Sequence, residues 1–294
     1  MSKWFAKAET QGAKITAMLQ KEGAISSART YENYQSALTH IAQVFKENNQ
    51  PSINQVTPEQ ATQYLVDRAA EVGQSQLNLE RQAMQSVMRN INGNLGQKET
   101  LPVIKSEFQT IRESRAYSPR QVEIVAGHQQ AHNALSTEIA YAAGLRAHEL
   151  LTIRPISERA PDPRPAHEAK FEGREGVSYT VVGKGGLCRE IRIPDALASR
   201  LEATRLPEPK QVTDRGVHYQ QFYNIGGGQR WSNSFSAASN RSCGWSRGAH
   251  GMRHSYAQER MNELKYEHVR EEALRIVSQE LGHFRPEITE IYLR

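Results

Sequence analysis

Two cysteines, Cys188 and Cys243, are all that the 294-residue chain contains, and they stand 55 positions apart. A disulfide scaffold and a paired-cysteine zinc site are therefore excluded, and a reducing cytosol is the expected compartment. Long apolar runs are absent too. Nothing approaches the roughly 18 consecutive apolar residues of a membrane-spanning helix. The first residues, Met1 to Glu9, lack the apolar stretch of a secretory signal. Neither Gly183-Lys184-Gly185-Gly186 nor Gly226-Gly227-Gly228 has the glycine spacing followed by Lys and Ser/Thr that a nucleotide-binding loop requires, which argues against ATP. His250 and His254 are four apart, but the residues between them hold no glutamate and no acidic third ligand is evident, which argues against a metal.

Charge, by contrast, is plentiful. Charged residues make up 23%, the net charge is +5 and the mean hydropathy is −0.67, as in a globular chain with an extensive polar surface. From residue 113 onward there are 25 Lys and Arg, 21 of them Arg, against 22 Asp and Glu. Arginine presents a planar, permanently charged fork that matches phosphate, so the bias permits a polyanionic partner.

The length suits two domains at about 100–200 residues each. Apolar positions Ala28, Tyr31, Tyr34, Leu38, Ile41, Ala42 and Phe45 recur at helical spacing after Ser26-Ser27. Thr57-Pro58-Glu59-Gln60 carries a capping-box start with proline at the first helical position, and Gly73 a stop. A third helix is predicted over about 75–90 and a further one over 2–20. The Asn-Gly step in 91–98 marks a boundary. The expected division is 1–97 as a helical domain, 98–117 as linker and 118–294 as a second domain.

Ser118-Pro119-Arg120-Gln121 repeats the capping logic, and 134–151 reads as continuous helix. The period then becomes two. Val177–Val182 and Cys188–Ile193 alternate around a glycine turn like a β-hairpin. Residues 155–176, with four prolines, read as a loop. Helices are expected at about 195–204, 250–264, 270–282 and 286–293. The fold class is mainly α with a small antiparallel β-sheet.

Several residues stand ready for phosphate chemistry. Arg146 follows Gly144-Leu145 and precedes Glu149-Leu150-Leu151; Lys184 occupies the hairpin tip; His250 and Arg253 share a helix face; Leu281-Gly282-His283 ends a helix; Tyr292 follows nine positions later. Each has an ordinary alternative: Arg146 pairing with Glu149, a solvated Lys184, a core His250, an Arg253 bridging to Glu259 or solvent, a His283 that merely ends its helix, a packing Tyr292. Together, and in this order, they resemble the tyrosine recombinase (phage integrase) family, in the words Gly-Leu-Arg-Ala-His-Glu-Leu-Leu at 144–151, Gly-Lys-Gly at 183–185, His-Gly-Met-Arg at 250–253, and Leu-Gly-His followed by Tyr292.

The resemblance implies a two-domain architecture, a helical core-binding domain plus a mixed α/β catalytic domain, closing on duplex DNA. It implies a site-specific recombinase or integrase that breaks and rejoins DNA through a covalent 3′-phosphotyrosyl intermediate, with neither metal nor ATP and no cofactor. Arg146 and Arg253 would clamp the phosphate, His250 and His283 would add hydrogen bonds, Lys184 would act as general acid, and Tyr292 would be the nucleophile. Tyr256, Tyr141, Tyr179, Tyr219 and Tyr223 are decoys for that last role. Implied partners are a double-stranded recombination site, further copies of the chain (a dimer on one site, a tetramer in synapsis) and room for an accessory DNA-bending factor, with no membrane and a nucleoid-associated, cytoplasmic location. Candidate DNA contacts are Lys14, Lys21, Arg29, Arg81 and Arg89 in the first domain and Arg230, Trp231, Arg241 and Arg247 in the second. Two other readings share the features: a relaxing enzyme of the type IB kind that reseals the strand it cuts, and a sequence-specific DNA-binding protein with a relic active site.

Overall fold

The computed structural model describes residues 7–107, 114–283 and 285–293, apart from the side chain of Lys184. The chain divides into two compact units, Met1–Ile111 and Arg112–Arg294.

The first unit is four helices: α1 (Ala8–Lys21), α2 (Ala28–Glu47), α3 (Pro58–Arg68) and α4 (Gln74–Val87), the last ending in a wide turn over Met88–Asn92. The caps are local. Ser27 accepts from the Thr30 amide at 3.0 Å, and Thr57 and Gln60 form the reciprocal box expected of them. Leu19, Leu38, Ile41, Phe45, Leu65, Met84 and Val87 form the core. Part of the stretch read as a linker is packed on this unit. Leu101 is buried in the core with its amide on Gln85 (2.7 Å), and the Ser106 hydroxyl donates to the Val72 carbonyl (2.6 Å).

The second unit opens with α5 (Pro119–Gly127), capped by the Ser118–Gln121 box, and α6 (Ala131–Ala143). Residues 134–151 do not continue as one helix. Gly144 takes the left-handed conformation (φ 59°) and ends α6; a short 3-10 turn follows at Glu149–Thr152. A side chain at 144 would come within 2.9 Å of Leu281 and Tyr256, so packing and backbone both require glycine there. Arg146 therefore rides on a turn.

Strands β1 (Arg154–Pro155), β2 (Val177–Val182) and β3 (Cys188–Ile193) make an antiparallel sheet, with Val177 opposite Ile193 and Val182 opposite Cys188, the expected hairpin register. After α7 (Asp195–Glu202) come two elements that the pattern did not announce. One is a second hairpin, β4 (Arg205–Asp214) and β5 (Val217–Tyr223); the other is α8 (Gly228–Cys243). Helix α8 is rich in Ser and Asn, and its start is capped from elsewhere in the chain: the Gln229 amide donates to Asp214 at the end of β4 (2.8 Å). Helices α9 (Gly251–Leu264), α10 (Arg270–Glu280) and α11 (Pro286–Thr289) follow, with a terminal 3-10 turn at Glu290–Leu293. Tyr117, Ile139, Leu145, Tyr179, Val181, Trp231, Phe235 and Met252 lie in the main core; Tyr256, Ile276, Val277, Leu281 and Tyr292 form a second cluster. None of the described helices is long and apolar enough to cross a membrane.

Candidate active site

The turn after Gly144 folds back on itself. The Glu149 carboxylate accepts from the Arg146 backbone amide (2.8 Å) and from the Arg146 guanidinium (2.7 Å). The same carboxylate is fully buried and meets two more arginines, Arg189 from β3 at 2.8 Å and Arg253 from α9 at 3.8 Å. Burial pushes the Glu149 carboxyl up, but the charges of Arg189, Arg253 and Arg146 overcome that and hold it far below the usual carboxylate range. One buried anion thus organises three guanidinium groups.

Arg253 is itself completely buried. It donates to the Gly144 carbonyl (2.6 Å) and the Leu281 carbonyl (2.8 Å). Burial, followed by the neighbouring Arg146, lowers its guanidinium to about 10. His283 lies just beyond the end of α10. Its Nε2 is 3.0 Å from Arg146 Nη2 and 3.2 Å from Arg253 Nη2, and its Nδ1 is 3.3 Å from the Thr289 hydroxyl. Guanidinium groups can only donate, so Nε2 is the acceptor and the ring is neutral. Burial and then Arg253, Arg146 and Arg189 lower His283 to about 3. In this state its nitrogen accepts from both forks, where an anionic oxygen would otherwise fit.

Tyr292 is buried in the terminal turn, and three histidines surround its ring. His254 is 4.9 Å away between centroids, His250 5.5 Å and His283 5.5 Å, the last stacked; the Arg253 guanidinium carbon lies 5.4 Å from the ring centre. The Tyr292 carbonyl accepts from Gln258 at 3.1 Å. Desolvation, then Arg253, His254, Arg146 and Arg115, lower His250 to about 4; desolvation, then Arg115, lower His254 to about 4. All three rings are neutral at pH 7.

Arg146, His250, Arg253, His283 and Tyr292 therefore meet within the second unit. The side chain of Lys184 lies outside the described residues. Its backbone is in the turn between β2 and β3, and a Cβ built on the preceding Gly183 would be 3.3 Å from Glu149 Oε1 and 3.7 Å from Arg146 Nη1, so that turn abuts the arginine cluster. The decoy tyrosines are otherwise engaged. Tyr256 is buried with its hydroxyl on Glu280 (2.8 Å), and burial pushes that phenol well up. Tyr141 bonds Glu259, Tyr179 and Tyr223 bond Glu202, and burial raises Tyr219.

The expected DNA contacts fare unevenly. Trp231 is corrected: it is 1% exposed, packed in the core with its indole N–H on Thr137 (3.1 Å), and presents no surface to a nucleic acid. The reason is α8, whose inner face carries Trp231, Phe235 and Ala238. Arg230 is exposed on that helix, and Arg241 is exposed with a bond to the His128 carbonyl (2.9 Å). Arg247 is half-buried over the Trp245 ring, 5.0 Å from its centre. In the first unit Lys14 and Lys21 are exposed, and Arg29 pairs with Glu32 (3.3 Å). Arg81 holds the Leu101 carbonyl (3.0 Å) and Arg89 the Glu99 carbonyl, so both fasten residues 99–101.

Three residues of the cluster escaped the sequence reading. Glu149 registered only as a partner for Arg146, Arg189 not at all, and His254 only as half of a zinc pair. Arg189 had one signal, an arginine at an inward position of an alternating strand. A different grouping could hold a metal: ligand atoms of Glu172, Glu267 and His268 lie within 4.8 Å of one another. None of the three has a contact with Tyr292 among those described, and His268 is already engaged by Glu172 (2.7 Å) and Glu272 (3.3 Å).

No protein-family model matches the chain, and no curated protein matches its sequence. Solved structures do match. XerH site-specific recombinase bound to a palindromic difH substrate, a post-cleavage complex, aligns over 100% of this chain and 94% of its own at 14% identity, TM-score 0.61. A lambda integrase dimer bound to a COC′ core site aligns over 97% and 94% at 14% identity, TM-score 0.60. The Tn1549 transposon integrase in complex with circular intermediate DNA aligns over 99% and 96% at 15% identity, TM-score 0.57. With its two units, helical bundle and small antiparallel sheets, the chain has the fold of the tyrosine recombinases.

Proposed function

We propose that the protein is a tyrosine-type site-specific DNA recombinase that breaks and rejoins duplex DNA through a 3′-phosphotyrosyl intermediate. The observation that carries this reading is the enclosure of Tyr292 by three neutral histidines and Arg253, beside an arginine pair facing a common acceptor. The DNA-bound recombinases that share the fold support it.

A phosphodiester is already anionic, and its charge grows in the five-coordinate transition state. Donors fixed in advance around the non-bridging oxygens are then worth about 10²–10³ each in rate. Arg146 and Arg253 point at one acceptor position, now held by His283 Nε2. An incoming phosphate oxygen takes that position, and its charge raises the histidine so that Nε2 protonates and donates in turn. The phosphate likewise offsets the cations that lower His250, turning a weak base into an adequate one. The Tyr292 oxygen attacks phosphorus, its proton passes to His250, and the bond to the 5′ oxygen breaks. Lys184, as general acid, protonates that leaving oxygen. The ester bond energy is kept in the phosphotyrosyl link, so religation needs neither ATP nor metal. Exchange between two duplexes requires further copies of the chain, a dimer on each site and a tetramer in synapsis.

The test is covalent capture on a pool of nicked duplexes with randomised flanks, followed by denaturing extraction and sequencing of the trapped DNA. Wild type is expected to retain a defined sequence through its 3′ side. Tyr292→Phe is expected to bind the recovered duplex and trap none. Adducts formed by Tyr292→Phe would overturn the assignment. Strand exchange between two marked copies of the recovered duplex then separates a recombinase from a relaxing enzyme, which reseals only the strand it cut.

A further inference from the structure

The short segment leading into α5 lies along the helix that carries His250 and Arg253. Ser114 is bonded by Gln258 (3.2 Å), and the Tyr117 amide and carbonyl both bond the Ser255 hydroxyl (2.8 and 2.9 Å). Between them, the Arg115 carbonyl comes so close to Gly251 that a Cβ there would lie 2.5 Å from it and 2.7 Å from the Tyr117 ring. Gly251 is thus explained by this close approach, immediately after His250. Gln258 also bonds the Tyr292 carbonyl (3.1 Å), so one amide clips the segment and the Tyr292 turn to the same helix.

The segment is held by these contacts, and the residue it displays between them is an arginine. Arg115 is exposed, and its charge bears on both His250 and His254. It differs from the other arginines of the cluster in one respect. Arg146, Arg189 and Arg253 all share the buried Glu149, whereas among the described residues no carboxylate pairs with Arg115. An exposed guanidinium with no carboxylate partner among the described residues, carried on a segment that packs against Gly251 and is clipped with Tyr292 to one helix, is matched by an anion that arrives from solution.

We propose that Arg115 is a phosphate-binding residue of the active site, holding a DNA backbone phosphate next to the one that is attacked. The proposal rests on the recombinase reading for the identity of the anion. Because Arg115 and Tyr292 are clipped to one helix, the contact sets the register of the strand relative to the attacking oxygen.

The experiment uses the full chain in two arms. On the duplex recovered by covalent capture, Arg115→Ala is expected to slow adduct formation about ten- to a hundredfold, the usual worth of a charge-assisted hydrogen bond, and Arg115→Lys to recover most of that loss. Phosphates flanking the nick are then replaced singly by neutral methylphosphonate. At one position wild type should fall to the rate of Arg115→Ala, and the variant should fall no further. On a 40-base-pair duplex of arbitrary sequence, Arg115→Ala should lower the slope of log affinity against log salt by about one. Unchanged cleavage, or a variant penalty equal at every methylphosphonate position, would overturn the proposal, as would an unchanged salt slope. A lowered salt slope without adducts from any version of the chain would leave the phosphate contact standing and remove the recombinase reading instead.

Discussion

In the unit 1–111 the enclosed side chains are almost all apolar, and Glu80, bonded by Tyr64 (2.9 Å), is the buried carboxylate among its described residues. The unit 112–294 encloses Glu149, Arg189, Asp214, Arg253, His254, Arg260, Glu280 and His283. Each such charge costs several kcal/mol to desolvate and is tolerated only when paired, so replacing a pair by apolar residues is often neutral or stabilising. The first unit invests its interior in cohesion. The second gives some cohesion away, and Arg253, His254 and His283 of that set lie against Tyr292. A buried charge set of this kind is a candidate functional site because its arrangement is hard to justify by stability alone.

The contrast is open to direct measurement. Glu149→Ala is expected to be the most damaging single change, leaving three guanidinium groups without their anion. A cost of about 3–5 kcal/mol is the usual price of an orphaned buried charge. Calorimetry should show the transition of the second unit falling by roughly 10 °C while that of the first is unmoved. A uniform shift of both would deny that the two units are energetically separate. Leu38→Ala, in a fully buried position of α2, is the reciprocal change. It should remove about 2–5 kcal/mol from the first unit and leave the transition of the second unmoved; a fall in both would show that the second unit depends on the first for its fold.

Acid should divide the units as well. His254 and His283 are buried and held near 4 and 3 in the folded state by that burial and then by neighbouring cations; His250 keeps an exposed edge and is lowered to about 4 by partial desolvation and then by Arg253 and its neighbours, all below the ordinary 6.5. The unfolded chain therefore binds more protons as pH drops below about 6.5, and the stability these neutral rings contribute is lost progressively from there towards pH 3–4. The second unit should melt earlier with acid across that window, followed by near-ultraviolet circular dichroism of its Trp231 and Trp245. His283→Gln should flatten the dependence, and an unaltered profile would contradict the neutral assignment. The smallest effect is a control. Thr57→Ala and Ser118→Ala remove the same capping box, one from each unit, and each should cost about 1 kcal/mol in its own unit.

Much of the fold was legible because its signals are local. Thr57-Pro58 and Ser118-Pro119 start helices whichever unit they belong to, since the cap is made within four residues. The 177–193 hairpin declares itself by its period of two. Helix α8 stayed hidden because its starting cap is Asp214, on a strand that the pattern itself did not reveal. Helix α6 was drawn too long because the left-handed turn at Gly144 is demanded by Leu281 and Tyr256, more than a hundred positions away. Trp231 was misplaced for a related reason: without α8, a tryptophan among serines and asparagines looks solvent-facing.

By itself, then, the order of residues determined the chemical kinds available: arginine forks, histidines and a late tyrosine, in an order whose resemblance to the tyrosine recombinases implied phosphate as their object. Only tertiary structure decided that Arg146, His250, Arg253, His283 and Tyr292 share one cluster, that Glu149 binds it together, and that the segment carrying Arg115 packs against Gly251 beside it. Short-range rules reach one turn of helix or one hairpin, whereas the field around a titrating ring is the sum of charges brought from distant parts of the chain, and that sum exists only once the chain has folded.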